Sequence, residues 1–211
     1  HSTTWIGDRA VEEIATWSGG GNLLMAGFVK PHHPFDPPAP WSRMYDPEAL
    51  TLLDGWTEQV IELAERRGYF DNATLTEPAL RRAMAMYYAT ISQIDHHVGR
   101  MIEALTAGGL YDDTMIVFTA DHGEFMGFHH MLLKGGTMYD PLVKVPLIVK
   151  WPGRREGSQS EALVSTVDVA PTILAAAGVE PEGPMAGLDL AAAPAGHDAI
   201  FCEQGRGRDL M

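Results

Sequence analysis

The chain has 211 residues, 45% hydrophobic and 20% charged, a composition typical of a single globular domain rather than a disordered segment. Its 28 acidic and 15 basic residues give a net charge of −13, which argues against a nucleic-acid binder and gives no support to an anionic membrane partner. The single cysteine, Cys202, excludes a disulfide framework and a cysteine-based metal cluster. No apolar run approaches the ~18 residues that a membrane-spanning helix requires.

The first part of the chain is predicted as helix, strand, loop and helix. "GDRAVEEIATWS" has helical spacing with Asp8 as its candidate N-cap, and "LLMAGFV" indicates a buried strand. "KPHHPFDPPAPW" follows, and its prolines favour a stiff, extended loop. "DGWTEQVIELAERRG" indicates a second helix.

The clearest element is a long third helix. Its apolar residues recur at spacings of four and three and form one stripe: Leu80, Met84, Tyr87, Ile91, Ile94, Val98, Met101 and Leu105. Gly108 and Gly109 are predicted to end it. His96 and His97 fall off the stripe, so we expect them on a solvated face.

Strands and a helix are predicted to alternate after this point. "TMIVFTA" and "VKVPLIVKW" indicate strands, "VDVAPTILAAAG" indicates a helix capped by Asp168 and ended by Gly178, and "AIFCE" indicates a final strand. This alternation predicts an α/β fold with a largely parallel sheet.

Polar side chains follow two of the predicted strands. Lys30 and His32 come after "LLMAGFV", and Asp121 and His122 come after "TMIVFTA". If the strands are parallel, both sets reach one sheet edge, where ligands bind in α/β proteins. A carboxylate beside an imidazole forms half of a divalent-cation site, and Lys134 is a cation suited to an anionic substrate.

Each of these residues also has a plain structural interpretation. Asp121 and His122 could cap the next element, His32 could pack among the prolines, and Lys134 could be a solvated lysine. His129 and His130 are expected to be loop residues.

Four stretches resemble one known family. "TADHGEFMGFHHMLLKGGTMYDPLVKVPLIVKWPG" resembles the C-terminal signature of type I sulfatases, in the alkaline phosphatase superfamily, and "GFVKPHHPFDPPAPW" resembles their substrate-histidine loop. "MYYATISQIDHHVGRMIEALTAGGLYDDT" and "STVDVAPTILAAAG" resemble the helices before and after the metal-binding strand. The resemblance covers nearly the whole chain in family order. Iduronate-type sulfatases and bacterial phosphonate monoester hydrolases share these features.

The resemblance implies an alkaline phosphatase-like fold, with a mostly parallel central sheet flanked by helices. Asp121 and His122 match the second pair of ligands to one divalent cation, typically Ca²⁺ and sometimes Mn²⁺ or Mg²⁺. His32 matches the catalytic, substrate-binding histidine that contacts the sulfate and the leaving oxygen, and Lys134 matches the active-site lysine. His129 matches a G-x-H position to which we assign no role.

The implied reaction is hydrolysis of a small-molecule or saccharide sulfate ester, in which the family uses a formylglycine made from cysteine or serine. Two alternatives stay open. The scaffold could serve a phosphonate monoester or phosphodiester hydrolase, because these esters share a tetrahedral anionic centre, or the chain could be a non-catalytic anion-binding domain.

The chain departs from the family pattern at the nucleophile. The Cys/Ser-x-Pro-x-Arg motif is absent, since Cys202 is followed by "EQGR", and so is the family's N-terminal aspartate pair. We therefore expect residues 1–211 to be a single, incomplete catalytic domain that lacks the nucleophile segment and a small C-terminal subdomain. Such a fragment is expected to be inactive by itself.

Overall fold

The computed structural model describes residues 1–59 and 71–203. In chain order these contain helix α1 (Ser2–Ile14), helix α2 (Glu77–Ala107), strand β1 (Ile116–Thr119), helix α3 (Asp140–Val143), strand β2 (Leu147–Lys150) and helix α4 (Val169–Ala176). Single 3₁₀ turns lie at Trp41–Arg43, Pro47–Ala49, Asn72–Thr74 and Thr166–Asp168. Within the described ranges, no helix combines the length and apolarity needed to cross a membrane.

The chain divides into two compact units. One comprises His1–Thr114 and His122–Lys144 and contains the three helices α1, α2 and α3. The other comprises Met115–Asp121 and Val145–Met211 and contains β1, β2 and α4. The expectation of a single catalytic domain stays a prediction.

Helix α2 follows the predicted stripe over most of its length. Leu80 and Met84 are completely buried and form a core cluster with Leu75 and Met126. The helix ends at Ala107 with Gly108 as its C-cap, and Gly109 adopts a φ of +69°, as the two glycines predict.

The predicted solvated face of α2 is wrong for His97. Its side chain is only 4% exposed, whereas His96 is exposed as expected. Helix α1 crosses α2 at this point, and the Cβ of an alanine at Gly7 would lie 2.3 Å from the His97 ring. The absence of a side chain at Gly7 therefore lets the two helices close over the imidazole.

Helix α1 begins at Ser2, so the predicted start at Asp8 is wrong. The Asp8 carboxylate accepts a 2.6 Å hydrogen bond from Arg100 on α2 and does not cap α1. Tertiary pairing with α2 has replaced the local capping interaction.

Strands β1 and β2 confirm two sequence predictions. They pair antiparallel, with Ile116 opposite Lys150 and Thr119 opposite Leu147, so this pair does not display the parallel arrangement expected of most of the sheet. The predicted strands at 23–29 and 199–203 are wrong, because neither segment pairs with another strand in the described part of the chain. Met25 is 90% exposed and Phe201 82%.

Helix α4 agrees with its prediction in extent, ending just before Gly178 at a φ of +66°. The completely buried carboxylate of Asp168 accepts hydrogen bonds from the backbone N–H groups of Ser165 and Leu188 and from His197 Nε2, at 2.7–3.0 Å. It closes the turn before α4 rather than bonding to the helix itself.

The predicted helix "DGWTEQVIELAERRG" lies mostly outside the described residues, and its first part, 54–59, is turn and bend.

Candidate functional site

The buried side chain of Lys30 stabilises the proline-rich loop. This lysine is only 8% exposed, and its ammonium donates to the Pro34 carbonyl and pairs with the Asp36 carboxylate. Lys30 therefore stabilises the loop, and its charge is already paired.

His32 is exposed on this loop, next to a half-buried His33. The His32 Nδ1 lies 2.7 Å from the His33 carbonyl oxygen, which only accepts, so Nδ1 carries the hydrogen. This tautomer leaves Nε2 as the nitrogen that can exchange a proton with a ligand. Burial lowers the pKa of His33, and the charges of His32, Lys134 and Lys30 lower it further.

The second polar segment begins where β1 ends, as predicted. Asp121 and His122 follow Thr119 at the carboxyl end of the strand. His122 Nδ1 lies 2.8 Å from the Gly123 carbonyl oxygen and therefore donates to it, which leaves Nε2 with a lone pair.

Gly123 permits the sharp turn that follows this pair. Its N–H donates to the Leu142 carbonyl at 2.7 Å, and a Cβ at Gly123 would lie 1.9 Å from the Pro141 carbonyl oxygen. Any other residue here would force the two backbone segments apart.

His129 and His130, expected to be plain loop residues, both have structural contacts. The buried His130 donates from Nδ1 to the Thr57 carbonyl at 2.7 Å and stacks on Trp56, with ring centroids 5.0 Å apart. His129 stacks on Tyr139 at 5.1 Å. These contacts fasten the segment between Asp121 and Lys134 to its surroundings.

Lys134 is half-buried and makes no side-chain hydrogen bond or ion pair with any described residue. Its charge acts on His33 and on Glu124, so it lies near both. Burial raises the pKa of Glu124, whereas hydrogen bonds from the Met126 and Leu133 backbone and the charges of Lys134 and His122 oppose that rise. A cation with no direct partner among the described residues thus lies near imidazole and carboxylate groups.

Two residues near Lys134, His33 and Glu124, were not predicted from the sequence. His33 shares the "PHHP" motif with His32, and Glu124 is the acid that directly precedes the apolar "FMGF" run. Both signals were visible: a doubled histidine between prolines, and a charge at the start of a segment that is otherwise buried.

Asp121 and His122 have the donor types that suit a hard divalent cation, a carboxylate oxygen and an imidazole nitrogen. The described residues contain no cluster of three or more His, Cys, Asp or Glu side chains that could hold a metal. Asp121 lies in the unit that contains β1, whereas His32, His122 and Lys134 lie in the other. A shared site for all four stays a prediction.

Comparisons with known proteins agree with the resemblance. A family model described as Sulfatase matches residues 1–179. An arylsulfatase of Clostridium perfringens is 32% identical over 200 residues, covering 90% of this chain and 41% of that protein. An N-acetylglucosamine-6-O-sulfatase of Bacteroides thetaiotaomicron is 36% identical over 142 residues, covering 66% and 25%.

A solved structure supports the fold. The phosphonate monoester hydrolase SpPMH of Silicibacter pomeroyi superposes with a TM-score of 0.79 at 32% identity, covering 97% of this chain and 43% of that one. The chain thus spans less than half the length of these relatives. The fold is α/β and alkaline phosphatase-like, as the sequence predicted. With a family model matched from residue 1 to residue 179 and the predicted motifs in family order, the chain belongs to the sulfatase family.

Proposed function

We propose that this chain forms part of the active site of a sulfuric ester hydrolase and, over residues 1–211, part of one sulfatase catalytic domain. The observation that carries the proposal is Lys134: a half-buried ammonium that no described carboxylate pairs with directly, close to His33 in a member of the sulfatase family. Such an ammonium is available to an anionic ester.

The roles follow from the chemistry of each group. Lys134 binds an equatorial oxygen of the ester and stabilises the negative charge that develops there. His32, through Nε2, contacts the leaving oxygen and passes a proton to it. The hydrogen bond from Nδ1 to the His33 carbonyl keeps Nε2 in the proton-transferring position.

We further propose Asp121 and His122 as ligands of one divalent cation, Ca²⁺ in preference to Mn²⁺ or Mg²⁺. The Nδ1–H of His122 donates to the Gly123 carbonyl, which fixes the ring in the tautomer whose Nε2 can serve as a metal ligand. A bound cation would add positive charge for the ester oxygens. Membership of the family supports a formylglycine as the attacking group of the intact enzyme.

The substrate class is a sulfate ester of a small molecule or a saccharide. The names of two relatives, an arylsulfatase and an N-acetylglucosamine-6-O-sulfatase, support this class. Phosphonate monoester hydrolysis is the second candidate, favoured by the similarity to the SpPMH structure.

The test is turnover of an aryl sulfate and an aryl phosphonate by the intact enzyme and its Lys134→Ala variant. Loss of the charge should lower kcat/KM by ~10² or more, as for loss of one charge-stabilising donor. Lys144→Ala is the matched control, because Lys144 is exposed and paired with Asp140, the first residue of α3. Near-normal turnover by Lys134→Ala would remove this lysine from the mechanism, and faster turnover of the phosphonate would favour the second candidate.

A further inference from the structure

The loop between His122 and Lys134 has an unusual backbone. Four of its non-glycine residues adopt a positive φ between 44° and 68°: Met126, His129, His130 and Leu133. A positive φ is unfavourable for residues with a Cβ, at of order 1 kcal/mol each, and persists only where the surroundings enforce it. Something must therefore hold this loop, which we define as residues 125–133.

Part of the restraint comes from the backbone. The Phe125 N–H donates to the Leu133 carbonyl at 3.0 Å, and the Gly127 N–H donates to the Met131 carbonyl at 2.8 Å. These bonds tie the two arms of the loop together and bring its last residue back beside its first.

A further restraint, beside the contacts of His129 and His130 described above, is the side chain of Glu124 at the mouth of the loop. Its carboxylate accepts from the Met126 N–H at 3.4 Å and also from the backbone N–H of Leu133. One carboxylate thus contacts both arms of the loop, at two residues that have a positive φ.

The carboxylate of Glu124 also interacts electrostatically with residues on either side of the loop. The positive charges of Lys134 and His122 act on its carboxylate and favour its ionised form. It acts in turn on Tyr87 of α2, whose pKa burial raises to about 12, with Glu124 contributing. The carboxylate therefore lies near Tyr87 as well as near the two cations.

We propose that Glu124 is the positioning residue for Lys134: by joining both arms of the 125–133 loop, its carboxylate fixes where the Lys134 ammonium lies relative to His122. The inference rests on the proposed function, in which Lys134 binds the ester anion. Glu124 itself does not contact substrate in this role.

Simple electrostatics and positioning predict opposite results for anion binding. If Glu124 were only a nearby negative charge, its removal would make the site more positive, and an anion would bind more tightly. If Glu124 positions Lys134, its removal lets the ammonium move out of place, and the anion binds more weakly although the protein has gained positive charge.

The experiment measures binding of inorganic sulfate to the intact enzyme by calorimetry at low salt. Glu124→Gln, which keeps the shape but loses the charge and one acceptor, should weaken sulfate binding by about tenfold. Glu124→Asp should lose less, because it keeps the charge. Glu103→Gln, at an exposed position on α2, is the matched control and should bind sulfate like the wild type. Equal or tighter binding by Glu124→Gln would overturn the proposal.

Hydrogen exchange gives a second readout that does not involve Lys134 or a substrate. The Met126 and Leu133 amides should exchange about tenfold faster in Glu124→Gln than in the wild type or the Glu103→Gln control. If Glu124→Gln does not fold, the same comparison is made with Glu124→Asp. Unchanged exchange rates would overturn the proposal that Glu124 joins the two arms of the loop. If Lys134→Ala binds sulfate as tightly as the wild type, the proposed function is refuted. The exchange rates would still decide whether Glu124 joins the two arms of the loop.

Discussion

The imidazole rings of His32 and His33 stack, with 4.1 Å between their centroids and 27° between their planes. The same two residues are joined by the 2.7 Å hydrogen bond from His32 Nδ1 to the His33 carbonyl. The ring of His32 is therefore restrained in orientation by one neighbour, although its outer face is exposed.

This stack predicts a difference between two substitutions of His33. In the intact enzyme, His33→Ala should lower kcat/KM by about tenfold, because His32 loses the ring that restrains it. His33→Phe keeps a flat ring at the same place and should stay close to the wild type. The measurement is aryl sulfate turnover at several pH values. Equal losses in both variants would show that the ring nitrogens of His33, and not the stack, matter.

The proposed metal ligands predict a dependence on a divalent cation. In the intact enzyme a chelator should abolish turnover, and Ca²⁺ should restore it. Asp121→Asn should weaken Ca²⁺ binding by ~10-fold or more, because losing a direct ligand costs at least as much as losing an outer-shell partner. Asp113→Asn, an exposed acid before β1, serves as the control. Calorimetry measures the affinity, and Ca²⁺ binding that survives in Asp121→Asn would remove this residue from the site.

The contact between α1 and α2 predicts opposite effects for two glycines in helices. Gly7→Ala should destabilise the protein by about 1–3 kcal/mol, because the new Cβ would lie 2.3 Å from the His97 ring. Gly99→Ala should be neutral or stabilising by up to about 1 kcal/mol, since outside its own helix backbone no atom of the described residues lies within 4 Å of the new Cβ, and alanine favours a helix. Urea unfolding measures both free energies, and a stable Gly7→Ala variant would contradict the close packing.

Buried His97 predicts a loss of stability in acid. Arg100 donates to its Nδ1 at 3.0 Å, so this nitrogen is an acceptor and the ring is neutral. Burial lowers the pKa of His97 below its ordinary value of 6.5, and Arg100 and His96 lower it further. The unfolded chain therefore binds the proton more readily, and the free energy of unfolding should fall as the pH drops below 6.5.

The size of this effect follows from a comparison of variants. Between pH 7.5 and 5.5 the wild type should lose up to about 1.4 kcal/mol per pH unit more than His97→Gln, which has no titrating ring. His96→Gln removes one of the charges that lower the pKa of His97, so it should lose less than the wild type but more than His97→Gln. Urea unfolding at each pH tests this, and parallel losses in the wild type and His97→Gln would exclude His97 as the cause.

Local signals in the sequence determined the long helix α2, the extent of α4 and one strand pair. The apolar stripe from Leu80 to Leu105 predicted α2, and Gly108 and Gly109 predicted its end, because a helix satisfies its backbone hydrogen bonds within itself. The apolar runs before Asp121 and after Lys144 predicted β1 and β2. The motifs carrying His32, Asp121, His122 and Lys134 were enough to predict the family, which the comparisons confirm.

Tertiary structure alone decided the features that depend on partners distant in the sequence. The apolar segment 23–29 has strand-like composition, but a strand needs a neighbour, and none pairs with it among the described residues. His97 lies off the apolar stripe, yet it is buried because α1 brings Gly7 over it. His33 lies near Lys134 because two loops converge in space, and Glu124 lies near it because the 125–133 loop folds back on itself. Spacing along a chain reports which residues share a face of one element, whereas burial and charge at a site depend on which other elements pack against that face.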